Sequence, residues 1–277
     1  MKSKLLPKCG ITGYSGVLGR EIIKNVNFRF IKYKHDILDK KKLEKWMEKN
    51  KFDLFLHLAA VVPTKKVENN YFFSKNVNLN GTKNIVDNLN KYHENLGWFF
   101  FSSTSHVYTD SKYKIAETKK INNCFSKYGK TKYHAEKYIN KKLNKKINCC
   151  IGRIFSFSHP NQNSNFFIPN ILKKIRKSNK KIITFKNVDH ERDFISTKDI
   201  SKIINLLYIK KRSGIYNIGT GVSTNLTDII RILCKRYDRK YKILYSRNRT
   251  KLVADISKLK KDGIKINSNI RSILQLF

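Results

Sequence analysis

A glycine turn near the start of the chain limits its possible folds more than any other feature. An apolar run over 6–11 leads straight into Gly10-Ile11-Thr12-Gly13-Tyr14-Ser15-Gly16-Val17-Leu18-Gly19, and a helical pattern follows. Glycines at 13, 16 and 19 fit the strand–turn–helix pattern that seats a dinucleotide. Gly13 permits the tight turn, Gly16 lets backbone approach a pyrophosphate, and Gly19 lets the helix pack close to the strand. The helix N-terminus then offers free N–H groups to the phosphates.

The first half keeps this rhythm, alternating short apolar runs with amphipathic stretches, the signature of βαβ units. Strands are predicted over 6–11, 28–34, 52–58, 97–102 and 147–154, and helices over 16–25, 40–49, 72–93 and 126–143. The runs at 52–58 and 97–102 are continuously apolar, as strands buried on both faces are. Beyond residue 155 the pattern changes to a loop over 156–165, helices over 168–177, 199–207 and 225–237, and strands over 182–185, 215–218 and 241–244. The expected fold class is α/β. A Rossmann-type doubly wound parallel sheet occupies 1–155, rejoined by 184–208, and a smaller C-terminal substrate-binding α/β cap occupies 156–277.

With 277 residues, 40% of them hydrophobic, the chain can build such a core. No apolar run approaches the roughly 20 residues that span a bilayer. The start, Met1-Lys2-Ser3-Lys4-Leu5-Leu6-Pro7, lacks the apolar stretch of a signal peptide, so a cytoplasmic protein without membrane partners is expected. Cys9, Cys124, Cys149, Cys150 and Cys234 have no metal-ligand spacing, and neighbours on a strand point to opposite faces, so neither a metal site nor a disulfide is expected. The net charge of +39 comes from 59 Lys and Arg against 20 Asp and Glu. The lysines are spread along the whole chain, with no recognition helix, RNA-binding aromatic motif or zinc module. Charge alone speaks to association and not to fold. Nucleic acid is therefore not the expected main partner, whereas a phosphate-bearing small substrate suits the charge.

The T-G-x-x-G-x-x-G spacing resembles the extended short-chain dehydrogenase/reductase family, and further landmarks follow in that family's order. His57-Leu58-Ala59-Ala60 resembles its "H-x-A-A", Asn78-Leu79-Asn80-Gly81-Thr82 its "N-x-x-G-T", and Arg192-Asp193-Phe194-Ile195 its "R-D-F-I". Tyr216-Asn217-Ile218-Gly219-Thr220-Gly221 and Ala254-Asp255-Ile256-Ser257-Lys258 resemble "Y-N-I-G-x-G" and "A-D-I-S-K". The resemblance spans nearly the whole chain. It implies a nicotinamide cofactor touching Gly10, Thr12 to Gly19, Asp36 and Ile37 over the adenine, Leu58, Ala59, Ala60, Asn78, Tyr128 and Lys132. It also implies a nucleotide-diphosphate sugar as substrate and a homodimer through the helices carrying Asn78 and Tyr128. An acid ending strand two would select NAD through the ribose hydroxyls. Here that strand reads Ile31-Lys32-Tyr33-Lys34-His35, with no acid before Asp36. Lys32 or Lys34 would accept a 2′-phosphate, which tilts the choice toward NADP, although lysines abound everywhere.

Exchanging hydride at a hydroxyl carbon requires a proton donor and acceptor beside it. A tyrosine serves if a nearby cation lowers its pKa from about 10, and a lysine four residues on shares its helix face. Tyr128 and Lys132 form such a pair, but so do Tyr71/Lys75, Tyr108/Lys112, Tyr133/Lys137 and Tyr138/Lys142. Context selects Tyr128. It follows Ser102-Ser103-Thr104-Ser105-His106-Val107-Tyr108, which resembles the family's "S-S-x-x-V-Y", and Glu136 continues its "Y-x-x-x-K-x-x-x-E". The resemblance then implies that Tyr128 moves the proton, Thr104 orients the sugar oxygen, and Lys132 lowers the phenol pKa and binds the nicotinamide ribose. Arg192 would pair with the substrate diphosphate, or else with Asp193 or Glu191, and Asn165 would line the sugar-nucleotide pocket.

Dehydratases of that family carry an acid directly after the catalytic Thr, where this chain has Ser105 and His106, so dehydration is not expected. The enzymes that make GDP-fucose use a cysteine near that strand end, and none is present here. Two reactions remain, 4-epimerisation and reduction of a 4-keto-6-deoxy sugar. The compact first half resembles dTDP-4-dehydrorhamnose reductases, while "R-D-F-I" and "Y-N-I-G-x-G" are shared by epimerases. A catalytically silent NADP-sensing or RNA-binding protein of the same fold is the alternative, although such proteins usually lose the Tyr or the Lys.

Overall fold

The two continuously apolar runs become interior strands with a residue-by-residue alternation between two cores. In the computed structural model, which describes residues 5–62 and 70–277, Trp98 and Phe100 enter one core while Phe99 and Phe101 enter the other. Strand side chains alternate across a sheet, so a strand covered on both faces reads as unbroken hydrophobicity. Residues 1–4 of the basic start lie outside the described residues.

In chain order the elements of the first half are β1 (Lys8–Thr12), α1 (Val17–Asn25), β2 (Arg29–Lys32), α2 (Lys40–Lys49), β3 (Leu54–His57), α3 (Tyr71–Lys75), α4 (Thr82–Tyr92), β4 (Trp98–Thr104), α5 (Lys127–Lys142) and β5 (Cys149–Ile154). There follow β6 (Ser156–Phe157), α6 (Phe167–Lys177), β7 (Ile182–Lys186), β8 (Glu191–Arg192), β9 (Phe194–Ile195), α7 (Thr197–Ile209) and β10 (Gly214–Ile218). Six strands form one sheet in the order β10-β5-β4-β3-β1-β2, and every pairing in it is parallel. The chain winds outward from β1 to β2, then reverses through β3, β4, β5 and β10. The reversal falls between β1 and β3, where a doubly wound sheet opens a crevice beyond its strand ends.

α1 and α7 pack together over one face of the sheet, and α2, α4 and α5 cover the other. Side chains cap several of these helices: Asp39 accepts from the Lys42 N–H, Ser126 from Gly129 and Ser196 from Asp199. A third core, with Ile171, Phe185, Ile229 and Leu233, holds the cap together. Of the 184–208 stretch, α7 packs against α1 over the large sheet, and β10 follows as that sheet's edge strand. β7 instead pairs with Lys240–Leu244 inside the cap.

The single helix expected over 72–93 is interrupted by a π-helical turn, Asn76–Gly81. Its extra residue turns Asn78 inward. The Asn78 carboxamide accepts the Val61 N–H and donates to the Val61 carbonyl and the Thr131 hydroxyl. The five cysteines are free, with Cys149 and Cys150 in opposite cores. Among the described residues no helix is long and apolar enough to cross a membrane, and no group of three His, Cys, Asp or Glu is placed to hold a metal.

Candidate functional site

A cleft of about 740 Å³ lies over the sheet's switch point, between the strand ends and the cap. Gly13 adopts φ +71°, and a Cβ there would meet the Ala59 nitrogen at 2.5 Å; one on Gly19 would meet the Gly13 carbonyl at 2.3 Å. Only glycines allow this approach. Gly16 begins α1 with no side-chain cap and no acid in the first turn. Its bare N–H groups face the cleft beside Tyr14, Ser15, Val17 and Leu18.

Gly10 and Thr12 brace this turn from behind and do not line the cleft. Gly10 makes room for the Phe55 ring, which a Cβ would meet at 2.6 Å. Thr12 belongs to a directed chain of hydrogen bonds. The Ala59 N–H donates to Thr12 Oγ1, which donates to His57 Nδ1 (2.7 Å). His57 Nε2 donates to Thr82 Oγ1 (3.0 Å), which donates to the Asn78 carbonyl. Burial, aided by Lys132, holds the His57 pKa well below its ordinary value, so the ring is neutral as this chain requires. Asn78 is fully buried and borders the cleft only through its tie to Val61.

At the far end, residues 33–37 form the rim, with Leu58, Ala59 and Ala60 opposite. The Asp36 carboxylate accepts the Leu38 N–H, and Ile37 is buried against Gly81. Lys34 borders the cleft. Lys32 does not; its ammonium lies 5.8 Å from the Tyr14 ring centroid.

Thr104 ends β4, and its hydroxyl accepts the His106 N–H. Tyr128, in the first turn of α5, lines the same cleft as Thr104. Lys132 lies one turn further along, 1% exposed, with Nζ 4.0 Å from the Phe101 ring centroid. Among the described residues its ammonium is a buried polar group with no hydrogen-bond partner. Burial lowers its pKa to about 7 against the opposing Glu136, and burial pushes the Tyr128 phenol up. The lowering of Tyr128 by Lys132 expected from sequence is therefore absent in the chain alone, because desolvation dominates both groups. Lys132 does not itself line the cleft. A buried ammonium without a hydrogen-bond partner, one helical turn from the cleft-lining Tyr128, and a helix N-terminus without a side-chain cap fit the ribose hydroxyls and pyrophosphate of a nicotinamide dinucleotide.

On the cap side, Arg192 donates to the carbonyls of Glu191 and Thr250 and to Thr250 Oγ1, and stacks 5.2 Å from the Phe125 ring. It pairs with neither neighbouring acid. Glu191 pairs with Lys251, and the buried Asp193 accepts N–H groups of Thr220, Gly221 and Ala254. Among the described residues the guanidinium forms no ion pair on the cleft wall; burial lowers its pKa to about 10 against the opposing charge of Asp110. Asn165 is exposed and off the cleft; Asn163, which accepts the Asn165 N–H, lines it instead.

A model of the family described as GDP-mannose 4,6 dehydratase matches residues 15–271. The chain belongs to that family, within the extended short-chain dehydrogenases/reductases. A GDP-6-deoxy-D-talose 4-dehydrogenase of Aggregatibacter actinomycetemcomitans is 28% identical over 239 residues, 81% of this chain and 78% of that one. The fold matches the Thermus thermophilus UDP-glucose 4-epimerase complex with NAD (TM-score 0.82, 17% identity, 97% of each chain). It also matches RMD from Pseudomonas aeruginosa complexed with NADPH (TM-score 0.83, 18% identity, 98% of this chain and 97% of that one).

Two residues of this family member carry more than the sequence disclosed. His106 lines the cleft edge-on to Tyr128, its Nδ1 3.0 Å from the Ser126 hydroxyl. Burial, with Arg192 adding to it, lowers its pKa to about 4. Gly129 lets α5 close on the turn after β4. A glycine inside a helix was the available signal, but only the fold shows what it approaches.

Proposed function

We propose that this chain transfers hydride to or from a ring carbon of a nucleoside-diphosphate sugar, with Tyr128 as the proton donor and acceptor. The observation that carries the reading is the meeting of Thr104 and Tyr128 in one cleft with the glycine turn, with the buried ammonium of Lys132, which has no hydrogen-bond partner among the described residues, one helical turn on from Tyr128. A nicotinamide dinucleotide bound there supplies the hydride exchange. Gly13 to Gly19 hold its pyrophosphate, and Lys132 donates to its ribose hydroxyls. Thr104 orients the sugar oxygen, Tyr128 exchanges a proton with that oxygen, and Arg192 takes the substrate diphosphate as a charge-assisted donor.

Dehydration is not proposed, despite the family's description. Eliminating a hydroxyl needs an acid beside it. Among the described residues Asp36 is the one carboxylate lining the cleft, and it sits at the opposite rim. Ser105 and a neutral His106 follow Thr104. Two reactions use the groups present, 4-epimerisation and reduction of a 4-keto sugar. Lys34 on the rim supports NADP, and with it the reductase. Two copies pairing through α4 and α5 are supported by the exposed Phe72 and Phe73 on neighbouring α3.

The test is to purify the protein, identify any retained nucleotide by mass, and assay a panel of nucleoside-diphosphate sugars and their 4-keto forms. Retained NAD with sugar interconversion supports the epimerase, and an empty site consuming NADPH the reductase. Absence of nicotinamide binding, with a salt-sensitive shift on RNA, would overturn both in favour of the silent RNA-binding alternative.

A further inference from the structure

One buried ion pair takes no part in the proposed chemistry. Glu136 follows Lys132 by one turn of α5, and its carboxylate accepts the Ser103 hydroxyl (2.5 Å) and the Arg153 Nε (3.1 Å) and Nη2 (2.6 Å). Arg153 reaches on through Nη1 to the Tyr108 hydroxyl, which donates to Asn217. The Glu136 and Arg153 side chains are only 2% and 3% exposed. Desolvation offsets most of what such a pair gains, so net stability is a weak reason for its presence.

Its placement suggests a better one. Ser103 immediately precedes Thr104, so one carboxylate joins the strand end bearing the hydroxyl to the helix face bearing the phenol and the ammonium. Glu136 is also the acid that raises the pKa of Lys132. Neutral His57 on β3 feels the ammonium's charge, and the Phe101 ring of β4, 4.0 Å from Nζ to its centroid, brings none.

We propose that Glu136 is a positioning residue: held by Ser103 and Arg153, its carboxylate fixes the Thr104 end of β4 against the Tyr128–Lys132 face of α5 and keeps Lys132 charged for a bound dinucleotide. This rests on the reading of the cleft given above, and its test separates the two.

The full chain is titrated with NADH and NADPH by fluorescence between pH 6 and 8.5. Wild-type affinity falls above about pH 7, by up to about tenfold per pH unit, as binding comes to require proton uptake by Lys132. In Glu136→Gln the fall starts earlier: affinity is about tenfold below wild type at pH 7.5 and within about twofold at pH 6. Purely structural damage would weaken both alike. Because Glu136→Gln strands Arg153, the double variant Glu136→Gln/Arg153→Met is measured beside it and gives the same shift. A folded variant with the wild-type profile overturns the proposal. So does failure of the charge-free double variant to fold, which would make the pair purely structural. Should wild type bind neither dinucleotide, or Lys132→Met keep the wild-type profile, the cleft reading itself falls and takes the proposal with it.

Discussion

The carbonyl oxygen of His106 occupies the space into which any side chain at Gly129 would grow: a Cβ there would lie 1.9 Å away. The start of α5 and the turn after β4 therefore touch backbone to backbone, which sets how near Tyr128 stands to Thr104.

Gly129→Ala forces these elements apart. Overpacking of this kind costs about 3 kcal/mol, less the roughly 1 kcal/mol that alanine gains over glycine in a helix. A net loss of about 2 kcal/mol in urea unfolding is expected, with turnover falling further than cofactor affinity. Unchanged stability would show that the helix shifts freely.

Lys132 gives the dinucleotide-free protein a pH-dependent stability. Its folded pKa, about 7, lies below its unfolded value near 10.4. Between these values the unfolded chain holds more protons, so this group makes folding more favourable as pH rises from about 7 to 10, by up to about 1.4 kcal/mol per unit. Melting of wild type and Lys132→Met across pH 7–9 measures it: wild type gains on the variant with rising pH. Parallel curves would mean that the ammonium is solvated.

Tyr128→Phe removes the proton carrier and keeps the ring. Turnover should fall by about 10²–10⁴-fold, while NAD(P)H affinity changes by less than about twofold. Activity near wild type would remove Tyr128 from its role.

Arg192→Met keeps the stacking on Phe125 but not the charge. Binding of a nucleoside-diphosphate sugar should weaken by about tenfold or more, with NAD(P)H affinity unchanged. Equal loss for both ligands would indicate that the cap wall had collapsed.

Much of the fold was legible because its signals are local. The glycine spacing, the alternating helical and apolar stretches and the unbroken hydrophobic run at 97–102 are each set by a few neighbouring residues. Periodicity also found β7 and its partner strand at 240–244, but not their pairing, since pairing within the cap is a long-range choice. The π-helical turn was invisible for a related reason. Asn78 reads as a helix residue until Val61 and Thr131 are brought beside it.

Sequence by itself determined a doubly wound sheet with a dinucleotide turn, because main-chain geometry and side-chain periodicity carry that information along the chain. Sequence context already singled out Tyr128 from five Tyr/Lys pairs. Tertiary structure alone decided that Asn163 and not Asn165 lines the wall and that, among the described residues, Arg192 forms no ion pair and the Lys132 ammonium is buried without an acceptor. Desolvation and charge pairing depend on what surrounds a group in space, and those surroundings come from residues tens of positions away.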